Sequence, residues 1–182
     1  MNEIEIMMQG LGWLGMGLIL FGTRIKSREN RQLLLGTGSG FLGIMAAWPE
    51  FQPVFFILQA ALSLVGFINI KPNRKLITMP IVFLSAVLGS FFAVKTSIGP
   101  DTWLAIAGLI GIALGYTDSP EREGGNQSLW FGIGGAGMVG YSTFGILAGT
   151  WQAWPFLILN IPFCILGFRD TIKERRGRKR RG

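Results

Sequence analysis

The sequence has no histidine and a single cysteine, Cys164, in 182 residues. Without imidazole it lacks the side chain most often used as metal ligand, proton shuttle and triad base. One thiol cannot form an intrachain disulfide. Charge is scarce as well: 15% of residues are charged, against about a quarter in an ordinary soluble domain. The charges that exist avoid the long apolar stretches. Away from the boundaries, no Asp, Glu, Lys or Arg lies inside any of the apolar segments. Paired carboxylates, a nucleophile–base pair and a charged proton path are therefore missing from those segments. The last segment also has no lysine on which a retinal Schiff base could form. We expect no enzyme activity, no metal site and no cofactor.

Apolar residues and glycine are abundant. Hydrophobic residues make up 49% of the chain, and the mean hydropathy is +0.44. A single soluble core cannot hide so much apolar surface, whereas lipid can. Glycine reaches 27 residues, about twice its usual share. Glycine is frequent in membrane helices, where it lets backbones approach closely. The apolar runs predict seven helices, over 5–22, 33–48, 52–70, 76–95, 101–116, 129–147 and 151–168. Several fall near the lower limit of ~17 residues needed to cross a ~30 Å hydrocarbon layer.

The basic residues give these segments a direction. With the N-terminus outside and seven crossings, Arg24, Lys26, Arg28, Arg31, Lys71, Arg74, Lys75, Arg122 and the eight basic residues after Phe168 all fall inside. Only Lys95 falls outside. Lysine and arginine concentrate on the cytoplasmic side of membrane proteins, so the split predicts an outer N-terminus and a cytoplasmic C-terminus. The first ten residues hold Glu3 and Glu5 and no basic residue. They lack the positive start of a signal peptide, so the first helix is expected to be retained. The net charge of +7 does not point to nucleic acid, because no folded basic face carries it. The basic tail reads instead as an anchor on anionic lipid, at about 1 kcal/mol per basic residue near the surface.

An internal repeat runs through the chain. FFILQAALSLVGF (55–67) lies over FLILNIPFCILGF (156–168) at an offset of 101, with Gln59 falling on Asn160. At an offset of 97, Gly38, Gly40 and Gly43 fall on Gly135, Gly137 and Gly140. At 93, Gly15 and Gly22 fall on Gly108 and Gly115. An odd-numbered repeat with one linker helix keeps both halves the same way up, a parallel repeat about an axis along the membrane normal. The expected fold is all-α: a seven-transmembrane helical bundle of two parallel three-helix repeats joined by a linker helix. The first repeat covers 1–75, the linker helix 76–98, and the second repeat with its basic tail 99–182.

Gln59 and Asn160 are the candidate binding pair. Each amide sits deep in an apolar helix, where a polar group without a partner costs several kcal/mol. An interhelical hydrogen bond would satisfy them. A polar solute between the halves would do so too, since amides both donate and accept. Tyr141 and Ser142, with Thr143, form a polar step in the sixth helix that could line the same cavity or bond within the helix. Trp48, Trp103, Trp151 and Trp154 map near the outer interface, as an aromatic belt does. The glycine runs GTGSGFLG (36–43) and FGIGGAGMVG (131–140) lack the strand and acidic partner of a dinucleotide site, and close helix packing explains them.

The ILQ of 57–59, the ILN of 158–160 and the glycine-rich second and sixth helices resemble the 3+1+3 architecture of the SWEET superfamily. That group includes the PnuC-type nicotinamide riboside transporters. In length and pattern the chain looks most like small bacterial inner-membrane proteins of the YgjV type. The resemblance implies a transporter of the inner (plasma) membrane that binds its solute at Gln59 and Asn160, which match the positions of the symmetric amide pair that SWEET proteins place beside the sugar. Helices 1, 2, 5 and 6 lack the hinge prolines of that group, and the Trp-x-x-x-Asn signature of PnuC-type proteins is missing. The leading expectation is a facilitative carrier for a small neutral polar solute. The alternative is a non-transporting membrane receptor or assembly subunit of the same fold. The sequence is silent on whether the chain forms a homo-oligomer.

Overall fold

The structure, a computed structural model, describes residues 3–48, 50–72, 74–117 and 126–179. Among these the fold is wholly helical: α1 (Glu3–Gly22), α2 (Arg28–Ala47), α3 (Pro53–Ile68), α4 (Lys75–Thr96), α5 (Pro100–Thr117), α6 (Gln127–Leu147) and α7 (Ala153–Lys179). No strand occurs among the described residues. Arg122, Arg180 and Arg181, which enter the charge count above, lie outside them.

Local chemistry sets the helix ends. Ser27 caps α2 by accepting from the Asn30 N–H at 3.5 Å. Pro53 opens α3 and Pro100 opens α5, at positions where a missing N–H costs nothing. Gly149, at φ 87°, terminates α6. The Gly149 N–H bonds to the Ile146 carbonyl and the Thr150 N–H to the Gly145 carbonyl, each at 2.9 Å. This is the Schellman arrangement that satisfies the last carbonyls of a helix. Two helices run past their apolar stretches. α2 begins at Arg28 rather than 33, and α7 continues from 168 to Lys179 through the basic tail. Hydropathy marks where a helix leaves the oily region, not where its hydrogen bonds stop.

Consecutive helices pack side by side from α1 to α7, and α1 closes against α7. The contacts are close because glycines face each other. A Cβ on Gly66 would lie 2.6 Å from the Gly36 Cα, and one on Gly167 2.6 Å from the Gly132 Cα. Gly15 and Gly38 meet in the same way, as do Gly108 and Gly137. The buried core joins Leu42, Met45, Phe55 and Leu58 to Leu109, Met138, Phe156 and Leu159.

The outer surface is strongly apolar. α4 alone exposes Phe83, Leu84, Val87, Leu88 and Phe91, more contiguous oil than a water-facing helix carries. Among the described residues, three helices are long and apolar enough to cross a membrane: Glu3–Gly22, Leu76–Thr96 and Ala153–Glu174. Pro53–Ile68 and Pro100–Tyr116 are shorter apolar helices. Both features are compatible with a membrane location.

Candidate functional site

α3 and α7 meet at the centre of the bundle through two phenylalanines. The rings of Phe55 and Phe156 stack at 4.0 Å with an interplanar angle of 2°. Both are almost wholly buried. Gln59 and Asn160 lie one helical turn further along their helices, so the same contact brings both amides to the bundle centre. There they line one cavity of about 400 Å³. Its walls are mainly apolar, from Ile19, Leu58, Ile112 and Leu159 among others, with Ser39, Tyr116 and Ser128 as further polar groups.

The cavity runs from the Phe55–Phe156 stack toward one end of the bundle, where Thr23, Gln32 and Asp170 form its rim. Arg24, Lys26, Arg28, Arg74 and Lys173 stand exposed at that same end. Arg28 ties it together by donating to the Asn69 carbonyl at 3.2 Å and the Lys71 carbonyl at 3.4 Å. Among the described residues, Asp170 is the only charged one on the lining, and it pairs with Arg169 at 3.0 Å. The deep part of the cavity carries no formal charge.

The two amides are used differently. Asn160 is 9% exposed and donates from Nδ2 to the Phe156 carbonyl of its own helix at 2.7 Å, which leaves Oδ1 out of that bond. Gln59 is 3% exposed, and its Oε1 is buried with no hydrogen-bond partner. An unsatisfied buried acceptor costs about 1–3 kcal/mol. No family model, curated protein or solved structure matches this chain. The reading of the site therefore rests on its own geometry.

Tyr141 and Ser142 do not line this cavity. They lie further along α6, beyond the stacked rings. Tyr141 packs on Phe55 at 5.1 Å, and Ser142 is fully buried with its Oγ unpartnered. Thr143 bonds within its helix, to the Val139 carbonyl at 2.8 Å. On the same far side Gln152, in the turn before α7, is fully buried and reaches the Glu50 carbonyl at 3.4 Å. Ser39, Tyr116 and Ser128 are lining residues that the apolar pattern does not mark. The matched positions of Phe55 and Phe156 in the sequence are the signal that these two rings meet.

Proposed function

We propose that this protein is a facilitative membrane carrier for a small, uncharged polar solute bound between two parallel three-helix halves. The observation that carries the proposal is the orphaned Oε1 of Gln59, which shares a central cavity with Asn160. A buried acceptor without a partner is costly in a packed bundle, and a solute that donates to it removes the cost. The volume, the apolar walls and the few convergent polar groups match the usual anatomy of a small-molecule site. A receptor or assembly subunit needs no such cavity at its centre.

The repeat is supported by matching contacts. A Cβ on Gly38 would meet the N and Cγ1 of Ile19, and one on Gly134 the N and Cγ1 of Ile112. Gly36 faces the N and Cδ1 of Phe67 as Gly132 faces those of Phe168. These pairs keep the offsets of 93 and 101 but relate α2 to α6 by 96 residues, one less than letter matching gives. Equivalent residues Phe55 and Phe156 stacking on each other is what a two-fold axis through their contact produces.

In this reading all seven helices cross a bacterial inner membrane, with the N-terminus outside and the basic end in the cytoplasm. The cavity then opens inward and the phenylalanine stack closes it outward. Transport exchanges that state for an outward-open one by rocking the halves. Counterflow of a labelled solute panel into proteoliposomes tests the proposal. Gln59→Leu/Asn160→Leu should abolish exchange without changing elution in detergent, and exchange at the wild-type rate would remove the site.

A further inference from the structure

Resting on that reading, the cavity also indicates what kind of solute it takes. Most of its lining consists of residues related by the offsets of 93, 96 and 101. The two walls are nevertheless chemically different. Thr23 stands opposite Tyr116, Leu35 opposite Phe131, and Leu62 opposite Phe163. At each of these three places the first half supplies an aliphatic or small side chain and the second half an aromatic ring. Tyr116 and Phe131 hold each other edge-on at 5.5 Å and 84°, so that part of the aromatic wall is set before any solute arrives. At these places the first-half wall, which also carries the Gln59 carboxamide, is aliphatic or small, and the second-half wall is aromatic.

We infer that the solute is a flat, uncharged nitrogen heterocycle with a lactam edge, an N–H beside a C=O. A carboxamide presents an acceptor and donors in one plane, so once the side chain turns its sealed Oε1 toward the cavity, the ring N–H can donate to Gln59 Oε1 while the ring carbonyl accepts from Gln59 Nε2. Side-chain amides read base edges in this two-point manner. The ring faces lie between the aromatic and aliphatic walls, where stacking is tolerant of ring identity. An acyclic or cyclic polyol fits poorly. Its hydroxyls point outward all round, and the deep walls offer few polar atoms besides those of Ser39, Gln59 and Asn160. Hydroxyls left against leucine and phenylalanine lose their water without replacement. A charged solute finds no counter-charge below the rim.

The test is counterflow of labelled uracil into proteoliposomes preloaded with unlabelled uracil, run beside labelled glucose and protein-free liposomes. Uracil should exchange, excess hypoxanthine should compete, and mannitol should not. Phe131→Leu/Phe163→Leu places at both sites the residue already found at 35 and 62, and should slow uracil exchange about ten-fold. The competition arm uses the unaltered protein, so it stands even if that variant does not fold. Glucose exchanging as fast as uracil, or no exchange of either ring, overturns the assignment. Glucose exchange that is lost in Gln59→Leu/Asn160→Leu overturns the heterocycle while sparing the carrier. A broad panel with no exchange at all overturns both.

Discussion

Glycine contacts make the sharpest stability prediction. In Gly66→Ala the new Cβ sits 2.6 Å from the Gly36 Cα and 2.7 Å from its N. Both are backbone atoms, so no rotamer change relieves the contact. To reach even a tight 3.4 Å, α2 and α3 must part by about 0.8 Å, in an interior packed as densely as an organic crystal. Overpacking of this kind costs about 1–3 kcal/mol. The gain in helix propensity on replacing glycine by alanine returns at most about 1 kcal/mol. Gly66→Ala should therefore be destabilised by up to about 3 kcal/mol, and by about 1–3 kcal/mol relative to an alanine that meets no neighbour. Gly17→Ala is the control, because its Cβ meets nothing within 4 Å and only the propensity gain of up to about 1 kcal/mol remains. Thermal unfolding in detergent, followed by helical circular dichroism and monodispersity, should rank Gly17→Ala at or above wild type and Gly66→Ala below it. Equal stability of the two variants would falsify the close approach of α2 and α3. Gly167→Ala, against Gly132 in the second half, should behave as Gly66→Ala does.

Gln59→Leu alone should raise the unfolding midpoint while abolishing exchange. It removes a buried acceptor whose unmet hydrogen bond costs about 1–3 kcal/mol, and a function-linked residue often carries such a penalty. Phe156→Ala should cost about 3–5 kcal/mol and make Gln59→Cys, in a Cys164→Ala background, reactive to an impermeant maleimide from the side away from the basic residues. With Phe156 intact, labelling from that side should be slower, because the site is then reached only in the outward-open state. Orientation is checked in the same background: Ser27→Cys should label only from the cytoplasmic side, and Ile98→Cys, which replaces an 87% exposed residue, only from the outside.

Much of the fold is legible in the sequence because the apolar runs are long and the breakers between them are strong. The structure sets Pro53 and Pro100 at the start of α3 and α5 and Gly149 just past α6, and these three ends fall within one residue of those the apolar runs predict. The missed extents, α2 back to Arg28 and α7 on to Lys179, share one cause. Charged, helix-compatible residues continue the hydrogen-bond ladder after hydropathy has fallen. The register between α2 and α6 fails for another reason. Glycines are closely and unevenly spaced in both helices, at 36, 38, 40 and 43 and at 132, 134, 135, 137 and 140, so a shift of one residue still scores as a match. Only the faces the glycines turn to Ile19, Ile112, Phe67 and Phe168 separate 96 from 97.

Composition and spacing alone determined an apolar, all-helical chain with a basic end and two amides at matched positions, because these depend on residue type and order. They could not determine which polar groups share a space. Ser39 and Tyr116 enter the cavity while Tyr141 and Ser142 lie beyond the phenylalanine stack, and nothing in their identities distinguishes them. That depends on the rotation of each helix about its axis. The rotation is set by which glycines meet, and so by long-range packing rather than by any local preference.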